Sequence, residues 1–102
     1  MSTLHTVNKS PFEKNSLSSC LTHTVADNAI LMIEDGVYGA IKNTSVADDV
    51  KGAMQDKSVY VLGPDLKARG LSEEQLIDGI SVVDYAGFVE LVCVNDKVQN
   101  WL

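Results

Sequence analysis

The sequence contains few basic residues and no long apolar run. Eight lysines and arginines stand against fourteen aspartates and glutamates, which gives a formal net charge of -6. A nucleic-acid backbone requires a basic binding face, so direct nucleic-acid binding is not expected. The strongly apolar runs, such as residues 29–33, are too short to span a bilayer, and no charged-then-apolar signal pattern opens the sequence. We therefore expect a cytoplasmic protein without a membrane partner.

The sequence also lacks the motifs of cofactor and metal sites. Its two cysteines, Cys20 and Cys93, are not spaced as in a disulfide framework or a zinc site, so both are expected to be thiols. The first predicted turn, VNKSPFE, contains no glycine, whereas close approach to a pyrophosphate requires several. No Ser-His-Asp arrangement, metal-ligand cluster or phosphate loop can be assembled. We expect no cofactor, no metal and no autonomous enzyme.

The length and composition of the chain predict one globular domain over residues 1–102. Hydrophobic residues make up 45% of the sequence and charged residues 22%, which is the balance of a folded domain. A domain of this size buries only about two thirds of the surface that its unfolded chain exposes. Association with partner chains would therefore add to a modest core.

Apolar runs alternate with helix-start signals along the chain. The predicted strands cover residues 4–8, 28–33, 58–62 and 80–83. Helix starts are predicted at the capping box Ser10-Pro11-Phe12-Glu13, at Ser45, at Ser72-x-x-Gln75 and at Asp84, and Gly63-Pro64-Asp65 is predicted to be a turn. A short helix is expected over residues 36–41. The last helix is expected to turn Phe88, Leu91, Val92 and Val98 inward.

This alternation predicts an α/β protein with a mostly parallel, four-stranded sheet and helices on both faces, a Rossmann-like three-layer α/β/α arrangement. The carboxyl ends of the strands would meet at one edge of the sheet, where a binding crevice is expected. Asp35, Asp65 and Asp84 all follow strands and could gather there as acid/base groups. Capping and turn formation explain each of them more simply.

Cys20 is the main candidate for chemistry. It shares an apolar stripe of the first predicted helix with Leu17 and Leu21, so one interpretation is a buried packing residue. In the other interpretation, His23 lies three residues further on and supports a thiolate, because an imidazolium lowers a cysteine pKa. His23 could instead bind the carboxyl end of its own helix. His5 is expected to be a satisfied sheet histidine, and Trp101 to pack on a partner or on its own chain.

Four segments in order resemble one family. They are LHTVNKSPFE, EDGVYGAI, YVLGPDLKARG and ISVVDYAGFVEL. With the residues between and after these segments, the resemblance covers residues 4–102. They resemble the DsrH/TusB family, the small third subunit of the DsrEFH and TusBCD sulfur-relay complexes. The resemblance implies a Rossmann-like domain that assembles with DsrE-like and DsrF-like subunits into a heterohexamer.

The resemblance also implies a function and a role for Cys20. DsrH-like members accompany reverse dissimilatory sulfite reductase, whereas TusB-like members serve the thiolation of the wobble uridine of certain tRNAs. In the family that the sequence resembles, a cysteine at the position of Cys20 is typical of DsrH-like proteins and is generally absent from TusB-like proteins. The resemblance therefore makes Cys20 a candidate persulfide site and His23 its possible support. The main persulfide-carrying cysteine of these complexes belongs to the DsrE/TusD-like subunit.

Three functional hypotheses follow. The first is a subunit of a DsrEFH-type sulfurtransferase that relays persulfide sulfur to a DsrC/TusE-like acceptor in oxidative sulfur metabolism. The second is a TusB-type subunit for 2-thiolation of the tRNA wobble uridine. The third is a purely structural subunit, in which Cys20 has no sulfur chemistry of its own.

Overall fold

The structure is a computed structural model that describes residues 2–25 and 28–101. Apolar and β-branched runs form the strands, and the segments between them form helices on the sheet. The strands are β1 (Thr3–Val7), β2 (Ala29–Met32), β3 (Ser58–Leu62), β4 (Ser81–Val83) and β5 (Lys97–Trp101). The α-helices are α1 (Ser16–His23), α2 (Ala47–Ala53), α3 (Gly63–Ala68) and α4 (Tyr85–Val94), and Glu34–Ala40 and Glu73–Gln75 are 3-10 helices.

The described strands form one parallel sheet in the order β4-β3-β2-β1-β5. This result confirms an α/β fold with a parallel sheet, but the expected number of four strands is wrong. The sequence predicts that the last helix includes Lys97 and turns Val98 inward, whereas residues 97–101 form β5 beside β1. The helix ends earlier because the side-chain amide of Asn95 donates to the carbonyl of Leu91 at 2.8 Å.

Helices contact both faces of the sheet. Leu17 and Cys20 of α1, Val50 of α2 and Leu66 of α3 join the cluster on the face that carries Ile30 and Met32. On the other face, Phe88 and Leu91 of α4 pack against Leu4 and Leu31. Successive strand residues point to opposite faces, which explains why neighbours in one strand belong to different clusters. Within residues 2–25 and 28–101, α1, α2 and α3 thus lie on one face of the sheet and α4 lies on the other.

Two predicted helix starts are wrong, and two are confirmed. α1 begins at Ser16 and not at Pro11, because residues 11–13 form a separate turn in which Ser10 Oγ accepts from the Phe12 N–H at 3.2 Å. Asn15 then intervenes, a residue with poor helix propensity. α2 begins at Ala47, and its N-cap makes no side-chain hydrogen bond. Asp84 caps α4 through Gly87 N–H at 2.8 Å, and Ser72 and Gln75 form their capping box.

The segment after β2 passes very close to the end of β1. A Cβ placed on Gly36 would lie 2.0 Å from the carbonyl oxygen of Val7, so this position accepts only glycine without a backbone shift. Glu34 has a φ of 50°, a left-handed conformation that is uncommon for this residue type. Its N–H donates to Asp65 Oδ2 at 2.7 Å, which ties the turn to α3. Gly63-Pro64-Asp65 is the beginning of α3, so the prediction of a turn at these residues is wrong.

Candidate functional site

The three aspartates that follow strands are occupied by structural contacts. Asp65 accepts from the N–H of Glu34 at 2.7 Å, and Asp35 forms an ion pair with Arg69 at 2.9 Å. Asp84 caps α4. Asp65 and Asp84 thus bind backbone N–H groups at a turn and at a helix start, as the sequence favoured, whereas Asp35 forms an ion pair that the sequence did not predict. The rim of the sheet holds no acid/base pair made of these three groups.

Cys20 lies in the core of the protein. Its exposed fraction is 0%, and it packs with Leu17 and Ile30 in the cluster between α1 and the sheet. Its Sγ atom is 3.4 Å from Oγ1 of Thr24, one helical turn further along. The Thr24 hydroxyl also donates to the carbonyl oxygen of Cys20, so the carboxyl end of α1 is closed around the thiol.

The electrostatic environment of Cys20 follows from this burial. Desolvation raises the pKa of the thiol above its ordinary value of 9.0, because the charged thiolate is disfavoured in an apolar environment. The hydrogen bond with Thr24 and the charge of Lys57 lower the pKa in part, without reversing the shift. Cys20 in this conformation is therefore a weak nucleophile that a sulfur donor cannot reach.

His23 is near Cys20 in sequence but has other partners. It is exposed at the end of α1, and its Nδ1 lies 2.8 Å from the carbonyl oxygen of Ser19. This contact joins the ring, at the carboxyl end of α1, to a backbone carbonyl one turn earlier in the same helix, in line with the second interpretation of His23 made from the sequence. Its ring also lies 6.1 Å from the ring of Trp101. The hydrogen bonds of Cys20 and His23 thus go to different groups.

A buried polar cluster surrounds His5 in the middle of the sheet. Trp101 Nε1 donates to His5 Nδ1 at 3.0 Å, and the side-chain amide of Asn28 is 3.3 Å from His5 Nε2. His5 is only 5% exposed, and desolvation lowers its pKa. The indole N–H can only donate, so Nδ1 must be unprotonated. The expectation of a satisfied sheet histidine is met at Nδ1 by the Trp101 indole, and the Trp101 ring packs within its own chain.

The described residues offer neither a metal cluster nor a membrane span. Nowhere among them do three His, Cys, Asp or Glu side chains gather where they could hold a metal ion. The helices in residues 2–25 and 28–101 also lack the length and apolar character needed to cross a bilayer.

Solved structures share this fold. The ychN protein from E. coli superposes with a TM-score of 0.81 over 98% of this chain and 99% of that chain, at 18% sequence identity. A protein of unknown function from Methanobacterium thermoautotrophicum gives a TM-score of 0.73 over 96% and 97% of the two chains, at 13% identity. At such identities the likeness concerns the fold alone, and it places this chain in a class of small α/β proteins with a common architecture.

Sequence comparison gives the family within that class. A family model described as "DsrH like protein" matches residues 9–98. Protein TusB of Erwinia tasmaniensis is 34% identical over 98 residues, which cover 96% of this chain and 99% of that protein. Protein TusB of Yersinia enterocolitica is 32% identical over 98 residues, which again cover 96% of this chain and 99% of that protein. The chain belongs to the DsrH/TusB family, as its four sequence motifs indicated.

Proposed function

We propose that this chain is a TusB-type subunit of a cytoplasmic sulfur-relay complex that serves 2-thiolation of the tRNA wobble uridine. Its proposed companions are DsrE-like and DsrF-like subunits in a heterohexamer, with a DsrC/TusE-like protein as sulfur acceptor. The observation that carries the proposal is similarity over nearly the whole length to proteins named TusB. These relatives favour the tRNA-thiolation hypothesis over the sulfur-oxidation hypothesis.

The burial of Cys20 weakens the main sequence argument for a DsrH-like function, which is the presence of a cysteine at this position. Sulfur relay requires a thiolate that attacks the outer sulfur of a persulfide, forms a new S–S bond and releases the donor thiolate. Cys20 is 0% exposed with a raised thiol pKa, so the chain by itself offers this thiol to no donor. A TusB-type subunit needs no cysteine at this position, since the main carrier lies in the DsrE/TusD-like subunit.

The proposal is tested by complementation. The chain, co-expressed with the two companion subunits from its own source, replaces the corresponding subunits in a bacterium that lacks them. We expect the 2-thiouridine content of tRNA, measured by mass spectrometry of digested nucleosides, to return to the level obtained with the host's own complex. Companion subunits expressed without this chain are the control. The choice would be reversed if this chain failed to restore tRNA thiolation but restored sulfur oxidation in a bacterium that lacks a DsrH-like subunit.

A sulfur-carrying role for Cys20 stays a second, weaker proposal. It requires that assembly opens the end of α1, where Thr24 closes over the thiol, and brings a positive charge or the donor persulfide to Sγ. His23 could then support the thiolate only after leaving the carbonyl of Ser19. The Cys20→Ala variant distinguishes the roles in the intact complex. Reduced transfer to the acceptor protein would support chemistry, and unchanged transfer with reduced stability would support packing.

A further inference from the structure

Helix α4 is apolar on both of its sides. Its sequence, YAGFVELVCV, contains one charged residue, Glu90. Phe88 and Leu91 face the sheet, where they pack against the Leu4 and Leu31 cluster. A helix that is apolar all round is normally buried on every side. The side of this helix that faces the sheet is partly buried by its own chain, and the other side is exposed.

The open side forms one continuous apolar face. Tyr85 is 60% exposed and Val89 is 62% exposed, four residues apart, and the thiol-bearing Cys93 lies another four residues on. Residues at this spacing lie above one another on a helix. We call the α4 surface the set of exposed side chains on this face, namely Tyr85, Ala86, Val89, Val92 and Cys93. Beyond it lie Val94, 66% exposed, and Val98 of β5, 42% exposed.

We propose that the α4 surface is the docking site for a different subunit of the sulfur-relay complex, one that presents an apolar helix face within neutral or basic surroundings. This inference rests on the proposed function for the identity of the partner. The surface itself is defined by the contacts of α4 alone.

The charge of the chain argues for a different subunit rather than a second copy. A net charge of -6 opposes self-association. In a twofold pairing through α4, the same surface of each copy meets the other, so the acidic Glu90 of both copies would be brought to one interface. Exposed Asp84 and Asp96 flank the helix at its two ends and would add to the repulsion. A partner with fewer acidic groups avoids this cost and gains electrostatic complementarity.

The size of the surface indicates how far the partner extends. A ten-residue helix is about 15 Å long, whereas a stable interface buries about 800 Å² on each partner. The helix face alone is too small for such an interface. Exposed Val98 of β5 pairs with Leu4 and therefore lies on the sheet face that α4 covers, so the partner is expected to cover this edge of the sheet as well.

The first test is charge insertion into the α4 surface. Val89→Lys adds a positive charge to an exposed helical position without disturbing the core, and Val25→Lys is the matched control, because Val25 is a valine with 65% exposure outside this surface. Both variants are co-expressed with the companion subunits, and the complex is measured by size exclusion and native mass spectrometry. We expect Val89→Lys to weaken assembly at least tenfold and Val25→Lys to leave it unchanged. Equal effects of the two substitutions would overturn the inference.

The second test uses Cys93 as a probe at the carboxyl end of the α4 surface. In a Cys20→Ala background, maleimide labelling of Cys93 should be fast in the isolated chain and at least tenfold slower in the assembled complex. A complex that forms with Cys93 fully reactive would overturn the docking site and leave the sulfur-relay proposal standing. If the companion subunits do not bind at all, both proposals fail. Slow labelling of the isolated chain as a dimer would assign the surface to a second copy and overturn this proposal.

Discussion

His5 and Cys20 are buried side chains that the fold holds in their neutral forms. His5 lies in β1 between Ile30 of β2 and Gln99 of β5. Its Nδ1 accepts from the Trp101 indole, and a proton on that nitrogen would place two donors against each other. Burial therefore disfavours the charged imidazolium form of His5, and the hydrogen bond from Trp101 disfavours protonation of Nδ1.

This arrangement predicts a pH dependence of stability. The pKa of His5 is lowered below its ordinary value of 6.5 in the folded state. The unfolded state then binds more protons, so stability is full above pH 6.5 and is lost as the pH falls below that value toward the folded pKa. We expect the free energy of unfolding, measured in urea, to fall between about pH 7.5 and about pH 5.5. The fall should be smaller in His5→Gln and retained in His23→Gln. Equal slopes in all three proteins would contradict the assignment.

The two thiols are expected to differ sharply in reactivity. Cys93 is exposed, whereas Cys20 is fully buried with a raised thiol pKa. In the folded isolated chain, a thiol reagent should therefore modify Cys93 at once and Cys20 only when the protein opens or unfolds. A Cys93→Ser variant should lose the fast phase and keep the slow one. Fast modification of Cys20 in that variant would show that the core around α1 is open.

At the scale of the elements, the segment after β2 lies in close backbone contact with the end of β1 at Gly36. Gly36→Ala would place a Cβ 2.0 Å from the Val7 carbonyl oxygen, and the sheet must move to accept it. We expect a loss of roughly 2–4 kcal/mol in the free energy of unfolding, as for other severe overpacking. Gly52→Ala in α2 is the matched control, because no atom lies within 4 Å of its added Cβ. That variant should be unchanged or more stable by about 0.5–1 kcal/mol. Similar stabilities of the two variants would contradict the close contact.

The sequence predicted elements best where one local signal had no competitor. Asp84 before a long apolar helical run identified the start of α4 correctly. Ser10-Pro11-x-Glu13 has an equally good local signal, yet the turn closes on Ser10 and the helix begins only at Ser16. The polar residues that follow allow either conformation, and packing of Leu17 and Cys20 on the sheet decides between them. Such tertiary contacts are not visible in a local pattern.

The candidate site was predictable in part for the same reason. The apolar stripe of α1 indicated correctly that Cys20 could be a packing residue. The bond between His5 and Trp101 joins residues 96 positions apart, and it depends on β5 lying beside β1. Since KVQNW follows a helical pattern without a strong turn signal, that strand could not be placed from the sequence. The exposed side of α4 could not be predicted either, because an apolar helix indicates burial but does not indicate whether its own chain or a partner chain buries it.

At the scale of the whole molecule, β5 completes the sheet around β1. It pairs with β1 from Thr3↔Lys97 to Val7↔Trp101, and Asp96 and Lys97 both donate backbone N–H groups to the Ser2 carbonyl. A chain that stops after Asp96 should therefore lose its cooperative unfolding transition. Without β5, β1 would pair with β2 only, and its other edge would have no hydrogen-bonded strand. Gln99→Thr, an exposed change within β5, is the control and should stay within about 0.5 kcal/mol of the original protein. A shortened chain with an unaltered urea midpoint would contradict this role of β5.

The pairing of β1 with β5 also sets an order of events during translation. β1 leaves the ribosome early, yet its second neighbour is made more than ninety residues later. At about 5–20 residues per second, β1 waits for roughly 5–20 s with one hydrogen-bonding edge open. During that interval β1 can add a strand from another nascent chain, so polysomes that translate this message at high density should favour aggregation. Slow initiation, or a chaperone that covers the emerging strand, would protect the product until β5 arrives.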